Sequence, residues 1–305
     1  MNIKHAIWLC AGLAALCGGP GFAQLGMFTN EQRIDSTRGW NGERFADGRP
    51  KVPDDVLARL KNTTAEEAWT ILQKHGFYFQ FEGGWKTLNV GPGQRLIGRA
   101  VTGVYMPLRP DLSSMIDDRG KREGRVGRPN SWLINTLVKG DVLVVDLFGK
   151  IKDGTLIGDN LGTSIMTKSG TGLVVNGSVR DPSGISEIAG FKVYARDFHP
   201  SSLADVMLTG LNVPIRIGEA TVLPGDVVLS DQDGITFIPA QLAAEVADES
   251  ELAQLRDEWG HQMLREQKYK PGEVDSEWSA KMIEEFNRYA ASKGAKVRMT
   301  PKGGR

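Results

Sequence analysis

The sequence predicts an α/β domain, and three observations carry that prediction. Two apolar, β-branched runs lie at 142–147 and 172–179; a helical pattern between them closes on Gly170; and strand and helix patterns alternate on either side. With 40% hydrophobic and 24% charged residues in a chain of 305, the composition is that of a globular protein with one large or two small domains. The formal charge is zero, which argues against nucleic acid or an acidic membrane surface as partner.

The N-terminus reads as a secretory signal. Lys4 precedes an apolar run from Ala6 to Cys17, helix breakers follow at Gly18 to Pro20, and Gly21 and Ala23 supply small residues for cleavage after Ala23. The run is short for a bilayer span, and a lipoprotein at Cys17 would put Leu16 where a small residue is needed. The expected location is therefore periplasmic or secreted, with no membrane contact after cleavage. Both cysteines, Cys10 and Cys17, leave with residues 1–23, and the loss of Lys4 leaves 36 basic against 37 acidic residues. A thiol-free mature chain suits an oxidising compartment and excludes disulfides, thiolate nucleophiles and Cys-ligated zinc.

Residues 24–53 are polar and rich in Gly, Asn and Arg, and are expected as an extended N-terminal arm. A helix follows at VPDDVLARL, then a second, AEEAWTILQKHG, opened by a capping box if Thr63 is the cap and closed by Gly76. RLIGRAVTGVYM, 95–106, reads as a strand; residues 119–129 form a Gly/Arg-rich connection into the short helix SWLINTL; KGDVLVVDLFG is a buried strand. After Pro239 comes a charged helix, and a last helix from about Ser276 carries Trp278, Ile283 and Phe286 at apolar spacing. The domain boundaries read as 1–23, 24–53, 54–265 and a helical extension at 266–305.

Chemistry concentrates between Leu156 and Asp181. A turn at Gly158-Asp159 opens a helix near Asn160, and the strand TGLVVNGSV runs into Arg180-Asp181. If the two strands are parallel neighbours, Asp159 and Arg180-Asp181 share the C-terminal sheet edge where α/β folds keep their ligands, beside a helix N-terminus suited to a carboxylate. Asp159 as an N-cap, and Arg180-Asp181 as a solvated ion pair, remain structural alternatives.

Asp159, twenty residues, then Arg180-Asp181 resembles the D-x20-R-D pattern of the class II pyruvate aldolases acting on 4-hydroxy-4-methyl-2-oxoglutarate and 4-carboxy-4-hydroxy-2-oxoadipate. RLIGRAVT, KGDVLVVD, GLVVNGSVRD and LNVPIRIGEATVLPGDVVLSDQDGITFIP resemble the same superfamily, named after the regulator of ribonuclease E activity A (RraA), over about residues 55 to 265. The resemblance implies a swivelling β/β/α fold. It also implies a divalent metal, Mg²⁺ or Mn²⁺, on Asp181, with water at most other positions. Arg180 matches the arginine that grips the pyruvyl end and steadies the enolate; Asp159 matches the acid that orients a metal-bound water for proton transfer. The backbone amides of Asn160 and Leu161 match those that receive the pyruvyl carboxylate.

The implied reaction is cleavage of a 4-hydroxy-2-keto acid to pyruvate through an enolate, with oxaloacetate decarboxylation as side activity and no Schiff-base lysine. The family's homotrimers and homohexamers imply a like assembly, with a glutamate from a neighbouring C-terminal helix; Glu251 and Glu258 both qualify. Gly184 departs from the ribonuclease-regulating members, which carry an acid there and glycine at the Asp159 position.

Other singled-out residues have structural readings. His199, after a second Arg-Asp pair, reads as a surface or interface residue; Asp231 and Asp233 read as a turn between two strands. A non-catalytic exported binding or scaffold protein on the same fold is the second function class, favoured by the export signal and extensions. Ribonuclease inhibition does not suit an exported chain.

Overall fold

The computed structural model describes residues 28–295 and 298–300. The expected signal segment, 1–23, with both cysteines, lies outside the described residues. Among the described residues, ten α-helices and eleven strands build one large mixed sheet, a two-stranded hairpin and the helices packed on them.

The arm is folded rather than extended. Thr29 caps helix α1 (Asn30–Ser36) in a capping box with Gln32, and Arg49, 1% exposed, spans Asp47 and the buried Asp141, at 3.1 Å to Asp141 Oδ1. Phe45 lies under the Arg49 guanidinium, 4.7 Å from ring centre to charge. Gly and Asn content suggested a polar extension; the long-range ion pair that docks it is not a local pattern.

Helices α2 (Asp54–Arg59) and α3 (Ala65–Lys74) follow as expected, but the capping box of α3 is Thr64 with Glu67, not Thr63. Short strands β1 (Phe81–Glu82) and β2 (Lys86–Leu88) lead to β3 (Ile97–Pro107). The stretch 119–129 is not all connection, because α4 (Pro110–Arg122) occupies its first part. Helix α5 (Pro129–Asn135) precedes β4 (Asp141–Thr155), which runs beyond its predicted end. Then come α6 (Asp159–Ser169), closed by Gly170 at φ 70°, β5 (Gly172–Val179), α7 (Pro182–Ser186) and β6 (Lys192–Phe198). Strands β7 (Val206–Leu211), β8 (Ile215–Ile217), β9 (Ala220–Val222), β10 (Val227–Ser230) and β11 (Ile235–Ile238) precede the long helix α8 (Ala243–Arg265), α9 (Pro271–Val274) and α10 (Ala280–Ser292).

The sheet order is β1-β11-β10-β3-β4-β5-β6-β2, with β7 on β3, and β3-β4-β5-β6 run parallel. Both faces of this parallel core are covered, which explains its continuous apolar runs. Leu143, Val145, Leu173 and Val175 pack with Leu133 of α5 and Ile165 of α6, while Val142, Val144 and Val174 pack with Ile215, Ile217 and Val222 of the β8–β9 hairpin. Helices α2, α3 and α8 cover Val227, Leu229 and Ile238. The tail does not leave the chain: Trp278, Ile283 and Phe286 pack on Trp259 and Met263 of α8, with the Trp259 and Trp278 rings 4.7 Å apart.

Candidate active site

Parallel registry brings the predicted residues to one edge. Val142 pairs with Gly172 and Asp146 with Asn176, so the chain leaving β4 and the end of β5 emerge side by side. Backbone bonds then lock the two loops: Leu156 N–H donates to Ser178 O at 2.9 Å, and Arg180 N–H donates to Ile157 O at 3.0 Å. Behind them, Asn176 donates from Nδ2 to Asp146 Oδ1 at 2.8 Å and accepts from Arg196 Nε at 2.9 Å, so the polar residues near the end of β5 are satisfied inside the sheet.

Asp159, Asn160, Leu161 and Arg180 line one cavity of about 390 Å³, within the range of small-molecule sites. Asp181 is not in its lining, but its Oδ2 lies 3.3 Å from Arg180 Nε, both side chains being about half exposed. The terminal nitrogens of Arg180 have no partner among the described residues. Asp181 itself is held in the left-handed region, φ 54° and ψ 49°, directly before Pro182. A non-glycine residue there stores of order 1–3 kcal/mol of backbone strain, and such strain clusters where side-chain aim matters.

Asp159 is not an N-cap. Gly158 occupies the cap position, Asp159 is the first helical residue, and its Oδ1 accepts the Asn160 N–H at 2.8 Å. The Asn160 amide is thus engaged by Asp159, and a substrate carboxylate would have to compete for it. Asp159 also lies against α7: a Cβ on Gly184 would stand 3.2 Å from Asp159 Oδ2. An acid at 184 would contend with Asp159 for one space and with like charge, which suits the glycine that this chain has there.

Sequence reasoning missed several lining residues. Arg128, Asn130 and Ser131 come from the start of α5, and Ser202 and Leu203 from the loop after β6. Asn130 is buried and donates from Nδ2 to Leu156 O at 2.8 Å, bracing the wall beside Asp159. The only available signal was the Arg-Pro-Asn run before a helix pattern. His199 lies next to this edge, with its N–H on Val179 O at 3.0 Å, but its ring Nδ1 is 2.9 Å from Ser201 Oγ. Asp231 serves the turn and the N-terminus of α3, accepting from Asp233 N–H and Ala65 N–H.

Glu251 and Glu258 do not reach this cavity within their own chain. Glu251 accepts from Arg59 Nε at 2.7 Å and Glu258 from Lys293 Nζ at 2.8 Å, on the walls of a separate cavity of about 680 Å³.

Among the described residues no three His, Cys, Asp or Glu side chains converge on a point. Gly158, however, leaves a cradle that a Cβ would fill and that Asp181 Oδ2 occupies. A single accessible carboxylate with room for water fits Mg²⁺, which keeps most of its hydration shell.

Comparison with known proteins identifies the family and the fold. Residues 81–237 match the family model described as RraA-like, Aldolase/RraA. The chain is 31% identical over 138 residues to 4-hydroxy-4-methyl-2-oxoglutarate aldolase of Thermus thermophilus, covering 43% of this chain and 83% of that one. It is 26% identical over 206 residues to protein DlpA of Legionella pneumophila, covering 67% of this chain. The chain spans 31% of the length of DlpA and 56% of that of a relative from Halalkalibacterium halodurans. Among solved structures, RraAS2 of Streptomyces coelicolor, described as an unusual member of the RNase ES inhibitor RraA protein family, superposes with TM-score 0.58 at 25% identity, over 70% of this chain and 98% of that one.

Proposed function

Because the chain belongs to the RraA-like family, we propose that it is a divalent-metal-dependent lyase cleaving a 4-hydroxy-2-keto acid, of the 4-hydroxy-4-methyl-2-oxoglutarate type, to pyruvate. The observation that carries this is the convergence of Asp159 and Arg180 on one cavity at the α6 N-terminus, with Asp181 paired beside them. The aldolase named among its relatives supports the same reaction class.

The N-terminus of α6 offers the amides of Asn160 and Leu161 and a partial positive charge to the substrate's carboxylate. Arg180, kept in place by Asp181, presents its free terminal nitrogens to the keto oxygen, and a planar fork suits that task better than lysine. A Mg²⁺ or Mn²⁺ ion held by Asp181 would supply Lewis-acid polarisation of the keto group. Asp159 orients the water that takes the proton from the distal hydroxyl as the C3–C4 bond breaks, and the enolate of pyruvate is then reprotonated at C3. Oxaloacetate, which loses CO₂ to the same enolate, is the expected side substrate. In this proposal the chain acts after cleavage behind Ala23, outside the cytoplasm, as a homotrimer or homohexamer in which Glu251 or Glu258 faces a neighbour's cavity.

The test is to mix the purified mature protein and Mg²⁺ with a panel of 4-hydroxy-2-keto acids and oxaloacetate and to follow pyruvate. Activity lost in Arg180→Ala and Asp181→Ala supports the reaction. No pyruvate from any member, or activity indifferent to metal, sinks it in favour of a non-catalytic binding role.

A further inference from the structure

Two cations line the candidate cavity, and the pyruvyl half of a substrate accounts for only one. Among the residues lining it, the ionisable ones are Arg128, Asp159 and Arg180. Arg180 has Asp181 at 3.3 Å. Arg128 is exposed and has no ion pair or hydrogen bond from its side chain among the described residues. Arginines such as Arg49, Arg59 and Arg109 hold carboxylates, and others, Arg122 and Arg216 among them, are unpaired on the surface among the described residues; Arg128 differs from these in lining the candidate cavity.

The backbone under Arg128 is fixed. It is the residue before α5, extended at φ −83° and ψ 162°, as the following Pro129 requires. Asn130, two residues on, is buried and bonded to the Leu156 carbonyl, in the wall that leads to Gly158 and Asp159. The side chain therefore stands on a fixed helix start, in the lining of the same cavity as the α6 N-terminus, with no ion pair or hydrogen bond among the described residues.

We infer that Arg128 binds the second acidic group of a dianionic 2-keto acid, and so sets specificity for dicarboxylates over monocarboxylates. The identity of the pyruvyl half rests on the lyase reading; the pairing of Arg128 with a distal carboxylate does not. A guanidinium engages a carboxylate through two parallel hydrogen bonds. At this half-open site such a pair is worth about tenfold in affinity, the low end for hydrogen bonds between charged groups.

Two arms test the assignment. Calorimetry in Mg²⁺ compares 2-oxoglutarate with 2-oxopentanoate, a dianion and a monoanion of equal chain length, on wild type, Arg128→Met and Arg128→Lys. The expected result is about tenfold tighter binding of the dianion by wild type, lost in Arg128→Met and partly kept in Arg128→Lys. A preference that survives in Arg128→Met, a wild type with none, or a dianion that does not bind overturns the inference. Because the readout is a ratio within each variant, general loss of folded protein cancels. The second arm measures kcat/KM for 4-hydroxy-4-methyl-2-oxoglutarate against 4-hydroxy-2-oxopentanoate. Pyruvate from neither substrate would sink the lyase reading while the binding ratio decides Arg128 alone.

Discussion

Gly158 and the Asp181 carboxylate occupy the same place: a β-carbon on residue 158 would run into Asp181 Oδ2 and would come within 3.1 Å of Arg180 Nε. The backbone of Gly158, at φ −119° and ψ −163°, is extended and open to any residue, so the requirement is for space and not for conformation. The glycine is what lets the carboxylate sit over the start of α6.

Gly158→Ala should therefore disarm the site without unfolding it. Gly158 is buried, but the colliding groups are half-exposed side chains that can swing away, so stability should fall by no more than about 1 kcal/mol, the typical cost of a point substitution. Displacing Asp181 and Arg180 by about 1 Å should lower kcat roughly 100-fold. Urea unfolding and pyruvate release, measured on one preparation, would show the split; full activity in the alanine variant would contradict the placement of Asp181.

Asp159 does two opposed things, and a substitution separates them. In the proposed reaction it supplies the proton-transfer carboxylate, and in the structure it occupies the Asn160 amide, at 2.8 Å, that a substrate carboxylate would use. In Asp159→Ala the rate should fall by about 10²–10⁴-fold, the usual contribution of a positioned acid or base. The freed amide should at the same time bind pyruvate more tightly than wild type does. Weaker pyruvate binding in the variant would mean that the α6 amides do not receive the carboxylate.

The docked arm makes a stability prediction. Arg49 and Asp141 are both buried, so Arg49→Ala leaves an uncompensated carboxylate at the start of β4. Breaking a buried pair from one side costs about 3–5 kcal/mol. Chemical denaturation should show that loss, and limited proteolysis should cut within residues 28–53. A loss below about 1 kcal/mol would mark the pair as no more than a surface ion pair.

What could be read from the sequence was what local pattern determines. Strand 172–179 and the stop at Gly170 follow from a continuous apolar run and a left-handed cap, and both are where the pattern put them. Thr63 with Glu66 and Thr64 with Glu67 are equally good capping boxes on paper. The choice falls to Thr64, and the Asp231 carboxylate, far off in the chain, takes the Ala65 N–H at 2.6 Å. Helix α4 was illegible because only Ile116 and Gly120 are buried in it, Gly120 to make room for the Trp132 ring. At the site, Asp159, Arg180 and Asp181 were visible through their spacing. Arg128 and Asn130 were not, because only the packing of α5 against the segment after β4 brings them to the cavity.

A last prediction concerns Asp226, directly before the hairpin strand β10. It is 4% exposed, and its Oδ2 accepts the Leu223 N–H at 2.8 Å. Burial outweighs the backbone N–H groups of Leu223 and Ala240 that favour the charged form, and pushes the carboxyl up to about 7. In the unfolded chain the group ionises near its ordinary value of 3.8. Between those two values the folded protein holds a proton that the unfolded chain has released, so stability falls as pH rises, by up to about 1.4 kcal/mol per unit, and levels off above pH 7. Asp226→Asn cannot release that proton, so unfolding free energies of wild type and variant, measured from pH 4 to 8, should diverge in favour of the variant as pH rises. Parallel curves would mean that Asp226 ionises in the folded state as easily as in water, and that its burial is relieved by solvent at the β10 turn.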